Sequence, residues 1–245
     1  MSNLWAAISA EISRKTSEAV GNLETRPVSG GCINDSRLAT ADSGVRYFVK
    51  LNAASKIDMF EAECDALAEI SATKTIRVPQ PIVSGVHGAE AFLVLEAISM
   101  QAKGDSQAMG QQLAELHRIT SSESFSDGFG WHRDNVIGET HQPNDPCQSW
   151  GEFFAERRIE HQLRLAQDRG KKFSGVRNLL ERIPEMLEEH EPIPSLLHGD
   201  LWGGNASFDE NDQPVVFDPA TYFGDRETDL AFTEMFGGFS SELYH

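Results

Sequence analysis

His198, Asp200 and Asn205 fall within one short stretch, Ser195-Leu-Leu-His-Gly-Asp-Leu-Trp-Gly-Gly-Asn205. A further carboxylate, Asp218, ends the apolar run Val215-Val-Phe217. A loop carrying a base and one metal ligand, followed by a strand that delivers a second ligand, is the arrangement that phosphoryl transfer uses. That reaction asks little covalent chemistry of a protein. It needs divalent cations across the phosphates and an aligned acceptor hydroxyl. Magnesium takes hard oxygen ligands, which suits the Asn205 carbonyl and the Asp218 carboxylate. Asp200 would orient the acceptor hydroxyl or take its proton. His198 is expected to brace the loop by hydrogen bonds. Taken alone, His198 and Asp200 could be metal ligands or caps in another fold; the strand pair ending in Asp218 weighs against that.

A triphosphate also needs a cation from the protein. Val45-Arg-Tyr-Phe-Val-Lys-Leu51 reads as a strand, rich in aromatic and β-branched residues, and places Lys50 to pair with phosphates. Lys56 to Ser71 reads as a helix with Phe60, Cys64 and Leu67 on one stripe. Glu61 and Glu63 compete as the lysine's partner. Glu63, three residues after Phe60 and four before Leu67, borders the inward stripe, whereas Glu61 turns away by roughly 100°. Glu63 is therefore expected. Considered alone, Lys50 reads better as an edge-strand lysine that blocks aggregation; the downstream Asp and Asn residues turn the reading to the phosphate-binding one. Ser29-Gly-Gly31 would let backbone N–H groups at Gly30 and Gly31 approach phosphate; a lone Gly-Gly is more often a plain hairpin turn, and its distance upstream of Lys50 is what favours the phosphate reading. Cys32 is either a phosphate-facing thiol or a small apolar residue in a turn.

The remaining elements follow from periodicity. Leu4, Ile8 and Ile12 mark a first amphipathic helix. Val78-Pro-Gln-Pro-Ile-Val83 is an extended link and Ala89 to Glu96 a buried strand. Glu96-Ala-Ile98 reads as a hinge, with Glu96 and Ile98 on the nucleotide side. Met109 to Thr120 reads as a helix with Met109, Leu113, Leu116 and His117 on one face, His117 being a satisfied core histidine. Residues 121–149 read as a long loop, of a length that is usually functional. Trp150 to Arg169 and Val176 to His190 read as helices, the second interrupted or kinked at Pro184. Ala206–Phe208 and Val215–Phe217 flank an acidic turn, Asp209-Glu-Asn-Asp212. Trp202 either stacks on a substrate or anchors its loop. Asp229 reads as a helix-start residue that also braces the loop backbone. The expected fold is α+β and bilobal: an antiparallel N-terminal lobe over 1–96 with one key helix, and a mainly helical lobe over 97–245.

Composition narrows the partners. The 245 residues carry 21 basic and 38 acidic side chains, a formal charge of −17, with no basic cluster. Such a body repels nucleic acid and anionic membranes. Three cysteines, Cys32, Cys64 and Cys147, are too few and odd for a disulfide scaffold, which points to a reducing, cytoplasmic setting. The first 20 residues include Glu11 and Glu18 and no long apolar core, so no signal peptide is expected. No window approaches the ~20 apolar residues of a membrane helix.

His-Gly-Asp-Leu-Trp-Gly-Gly-Asn at 198–205, Phe-Asp-Pro-Ala at 217–220, Gly-Asp-Arg-Glu-Thr-Asp-Leu-Ala at 224–231 and Phe-Gly-Gly-Phe at 236–239 resemble fructosamine kinases. So do Gly-Gly-Cys-Ile-Asn at 30–34, Met-Phe-Glu-Ala-Glu at 59–63, and Trp150 with Phe153, Phe154 and Arg158. The resemblance runs from about Val28 to Phe239. It implies a protein-kinase-like fold of the aminoglycoside phosphotransferase type, with ATP and Mg²⁺ as cofactors. It also implies phosphorylation of the 3-hydroxyl of a ketosamine, free or protein-bound, and a link to deglycation. On that resemblance Lys50 and Glu63 form the nucleotide-side pair, Asp200 is the base, Asn205 and Asp218 bind metal, and Trp202 lies in the acceptor pocket. Cys32 matches a phosphate-loop cysteine of the family that in some members joins subunits, which implies a monomer or a redox-sensitive dimer. Family members usually continue with further C-terminal helices beyond the Phe-Gly-Gly-Phe segment, so a short C-terminal lobe is expected. The rival readings are a kinase of this fold acting on an aminoglycoside, choline or homoserine, and a shortened, non-catalytic nucleotide-binding protein. A metal-dependent hydrolase leaves Lys50 and Glu63 unexplained.

Overall fold

The strand that carries Lys50 lies in the middle of a sheet, which removes the edge-strand reading. Among the residues described by the computed structural model (2–28, 33–120, 128–189 and 191–245), five antiparallel strands run in the order β1-β2-β3-β5-β4. They are β1 Leu23–Pro27, β2 Asp35–Ala41, β3 Arg46–Ala53, β4 Pro81–His87 and β5 Glu90–Glu96. Gly30, Gly31 and Cys32 lie outside the described residues. The chain divides into two units, Met1–Met109 with Ala206–Asp218, and Gly110–Asn205 with Pro219–His245. No helix of the described residues is long and apolar enough to cross a membrane.

In the first unit, pleating assigns alternate residues to opposite faces. Tyr47, Val49 and Leu51 of β3 join Phe92 and Val94 of β5 in an apolar cluster with Leu4, Ile8 and Ile12 of α1, Ser2–Thr16. Lys50 therefore points to the other face, where α2, Ile57–Thr73, packs on β4 and β5. The buried residues of α2 are Phe60, Ala62, Ala66, Leu67 and Ile70. Glu63 borders that stripe as expected. Cys64 does not belong to it: it is half-buried, and burial pushes its thiol up to about 11, so it stays protonated. The acidic turn forms as read, between β9 Ala206–Phe208 and β10 Pro214–Val216, an antiparallel hairpin of the first unit.

Helix α3, Ser106–Leu116, starts earlier and ends earlier than its apolar face suggested. Asp105 Oδ1 accepts from the Ala108 N–H at 2.8 Å, a cap that sets the start. Thr120 pairs with Ser195 as an isolated bridge instead of extending the helix. The stretch read as a 121–149 loop contains a hairpin, β6 Asn135–Ile137 and β7 Thr140–Gln142, turning at Gly138–Glu139. Its short strands carry too few residues for period 2 to stand out. The helix read over Trp150–Arg169 has a π-helical segment, Phe154–Glu160, between α4 Trp150–Phe153 and α5 His161–Asp168. Helix α6, Val176–Glu188, runs through Pro184, whose backbone packs on Gly151 of α4. This packing compensates for the hydrogen bond that proline removes.

The second unit is held around its catalytic-type loop by one buried carboxylate. Strands β8 Ser195–Leu196 and β11 Phe223–Gly224 pair, and the Leu197 and Ala220 N–H groups extend the contact to Tyr222 and His198 carbonyls. Helix α7, Glu227–Phe236, follows. Its start is capped by Asp225, whose Oδ1 accepts from the Glu227 N–H at 3.1 Å, not by Asp229. Asp229 sits in the first turn, fully buried. Its Oδ2 accepts from the His198 N–H at 2.8 Å and from His117 Nε2 at 2.9 Å; Oδ1 accepts from the Gly199 N–H at 2.9 Å. Burial alone would raise the Asp229 pKa; these donors outweigh it and hold the carboxyl below its ordinary value. A depressed carboxylate contributes stability above its unfolded pKa, and that contribution is lost as pH falls through the folded one. Asp229→Asn is expected to cost about 2 kcal/mol at neutral pH. Its deficit should shrink as urea unfolding is followed from about pH 7 to pH 3; a constant deficit would show that the charge is not what matters.

Candidate functional site

In the first unit, Lys50 Nζ donates to Glu63 Oε1 at 2.6 Å and to Asp218 Oδ1 at 2.7 Å. Lys50 is buried and Glu63 nearly so, but the Asp218 side chain keeps 47% of its surface. Burial would lower the Lys50 pKa; the two carboxylates overcome this and raise it, so the ammonium is charged. Burial, with the Asp218 charge adding, raises the Glu63 pKa against the pull of Lys50. Two carboxylates thus share one cation. This excess of negative oxygen, with one carboxylate still half exposed, fits a site completed by a divalent ion carrying phosphates. Asp218 is also one of the few residues other than glycine with positive φ, at 57°. Such a conformation costs roughly 1–3 kcal/mol and persists where surroundings over-determine it.

Glu96, read as part of the nucleotide set, ends β5. Its Oε1 accepts from Arg77 Nη2 at 2.8 Å and its Oε2 from the Gln80 N–H at 3.3 Å. Ile98 is half-buried in the irregular backbone after the strand. Arg77 was not singled out in the sequence, and its second partner Asp209 only as part of an acidic turn.

In the second unit, Asn205 Nδ2 donates to the Asp200 carbonyl at 2.9 Å and to Asp200 Oδ2 at 3.0 Å. With both donor hydrogens turned to Asp200, the amide oxygen of Asn205 is the atom left to offer a cation. Asp200 is half-exposed, and its N–H donates to Nδ1 of the fully buried His198 at 3.3 Å. His198 is a brace, as expected. Gly199 has a φ of 81° and lies so close to the Ala220 carbonyl that no side chain fits. Trp202 is 42% exposed, with its ring over Gly204, so it is no core anchor; the ring is available for stacking. The loop is also crossed by the segment after α7. The Gly203 N–H donates to the Gly237 carbonyl at 3.0 Å, and a Cβ on Gly238 would lie 2.6 Å from the Gly203 Cα. The Phe-Gly-Gly-Phe motif is therefore a close backbone crossing. Arg158 is tied in the same unit. Its guanidinium lies over the Phe153 and Tyr222 rings, at 4.6 and 4.1 Å, and donates to the Pro143 carbonyl and Asn144 Oδ1 at 2.6 and 2.7 Å.

The structure thus brings Lys50, Glu63 and Asp218 together in one unit, and Asp200 and Asn205, with exposed Trp202 on the same loop, in the other. The fructosamine kinase family model matches residues 4–245. A probable ketoamine kinase of Synechocystis is 43% identical over 243 residues, 98% of this chain and 80% of that protein. The crystal structure of a candidate fructosamine-3-kinase of Haemophilus somnus superposes with a TM-score of 0.89 at 32% identity, covering 98% of this chain and 80% of the other. The ADP-bound aminoglycoside phosphotransferase APH(2'')-Ib shares the fold, with a TM-score of 0.60 at 17% identity over 94% of this chain and 77% of its own. The α+β fold is of the protein-kinase-like phosphotransferase type, and the chain belongs to the fructosamine kinase family, enzymes that phosphorylate a hydroxyl acceptor.

Proposed function

We propose that this protein is an ATP-dependent ketosamine 3-kinase, acting on the adduct of a sugar with an amine. The observation that carries this reading is the buried Lys50 ammonium shared by Glu63 and the half-exposed Asp218. A buried cation at a strand centre has little purpose in packing and a clear one against phosphates. Family membership and the relatives' names support the acceptor class. Lys50, oriented by Glu63, would bind the nucleotide phosphates. Asp218 and Asn205 would hold Mg²⁺, which when bound neutralises charge on the transferring group. Asp200 would orient the 3-hydroxyl and receive its proton as the oxygen forms its bond to the γ-phosphorus and the bond to ADP breaks. Trp202 would stack on the acceptor.

The product carries phosphate one carbon from the ketone carbonyl. Phosphate leaves more readily than hydroxide, and its loss opens a route to release of the amine. Deglycation of free or protein-bound amines in the cytoplasm is the role that fits this chemistry. The resemblance supports a monomer or a redox-sensitive dimer linked through Cys32.

ADP release measured against ribulosamine, fructosamine, aminoglycoside, choline and homoserine acceptors tests the substrate class. Turnover confined to the last three would overturn it. Nucleotide binding without turnover on any acceptor would favour the non-catalytic reading. Asp200→Ala is expected to lower turnover by about a hundredfold to ten-thousandfold while Mg·ATP binding persists; retained turnover would remove Asp200 as the base. Asp218→Ala is expected to weaken Mg·ATP binding by about tenfold or more in calorimetry, and an unchanged affinity would remove its metal role.

A further inference from the structure

Asp218 owes its place to the hairpin that delivers it, whose Phe208, Val215 and Val216 are buried and whose edges are tied by hydrogen bonds. β9 and β10 are three residues each, joined by the turn 209–213. Both edges are held from outside. On the β9 side, Phe208 exchanges backbone hydrogen bonds with Gln101, at 2.7 and 3.2 Å, and Ser207 Oγ donates to the Gln101 carbonyl at 2.8 Å. On the β10 side the backbone pairing is supplied by Arg77. Its carbonyl accepts from the Val216 N–H at 3.0 Å, two residues before Asp218, and Arg77 bridges Val215 in parallel. Its guanidinium forks: Nη2 takes Glu96 Oε1 at 2.8 Å at the end of β5, and Nη1 takes Asp209 Oδ2 in the hairpin turn.

Asp209 is 1% exposed. Its Oδ1 accepts from the Asn211 and Gln213 N–H groups at 2.8 and 3.1 Å, which shapes the turn. Burial would raise its pKa; the backbone donors and Arg77 outweigh this and lower it. One planar guanidinium therefore joins the sheet that carries Lys50 to the buried anchor of the hairpin that carries Asp218. Lysine, a single point charge, cannot span both carboxylates in this way.

We infer that Arg77 is a positioning residue for Asp218, fixing the hairpin so that the Asp218 carboxylate meets magnesium correctly. This rests on the metal-ligand reading of Asp218 given above. Magnesium tolerates little departure from octahedral distances, so a loosened hairpin should degrade metal binding before anything else.

The test compares ATP affinity with and without Mg²⁺, by calorimetry, in the full chain and in Arg77→Ala, Arg77→Lys and Arg77→Ala/Asp209→Asn. Urea unfolding of each is measured alongside. Wild type is expected to bind ATP more tightly with Mg²⁺. Arg77→Ala should lose about tenfold of that gain with metal-free ATP affinity unchanged, and Arg77→Lys should lose a smaller part. The double variant removes the uncompensated charge at Asp209. It should regain stability but not the magnesium-dependent gain, which keeps the test open if Arg77→Ala unfolds. Recovery of both stability and the gain would mean that Arg77 only neutralises Asp209, and would overturn the inference. Loss of affinity equally with and without Mg²⁺ would overturn it too. A wild type without any magnesium-dependent gain would sink the metal role of Asp218 itself, and this inference with it.

Discussion

A buried ammonium shared between two carboxylates is the constraint on which the first unit depends. Removing Lys50 from water costs several kcal/mol, which its partners must offset. The cost is tolerated because β3 is central, so backbone pairing on both sides holds the strand whatever its side chains do. Taking away one partner of such a group typically destabilises by about 3–5 kcal/mol, since a lone charge stays behind. Glu63 is held by the apolar stripe of α2, and Asp218 by a hairpin docked through its own hydrogen bonds. The two carboxylates thus come from independently anchored elements. Positive φ at Asp218 follows naturally: the lysine and the hairpin together demand a backbone that an unconstrained aspartate would seldom adopt.

The second unit solves a related problem with the charges reversed. There a buried carboxylate, Asp229, collects N–H donors from His117, His198 and Gly199. The loop leading to Asp200 has no regular secondary structure, so its backbone donors need partners of another kind. Asp229 supplies them from a helix that begins nearly thirty residues later in the chain. Asn205 then turns its amide hydrogens inward to Asp200. With those hydrogens spent on Asp200, the Asn205 amide oxygen is the group left for a ligand.

Much of this was legible in the residues. Glu63 could be chosen over Glu61 because helical spacing alone decides which faces inward, and Lys50 pairs with it as read. The bracing roles of His198 and Asp229 were also visible, because a loop that must present Asp200 needs its neighbours held. Other features were not. Arg77 and Asp209 lie 132 residues apart; Arg77 carries no local pattern and Asp209 reads only as part of an acidic turn, so only the folded hairpin makes them partners. The Asp225 cap was masked by the more conspicuous Asp229 four residues on. Strands of three residues, as in β6 and β7, are too short for periodicity to register. Pro184 is a breaker by local propensity, but tertiary packing of α6 overrides it.

The glycine crossing of the segment after α7 over the loop at Gly203 has a consequence for how this enzyme can change. Two main chains in direct contact leave no side-chain layer to absorb variation. A methyl group gained at Gly238 would press on Gly203, the residue next to Trp202 in the chain. If the indole stacks on the acceptor as proposed, acceptor choice and the backbone path beyond α7 would evolve as a single trait.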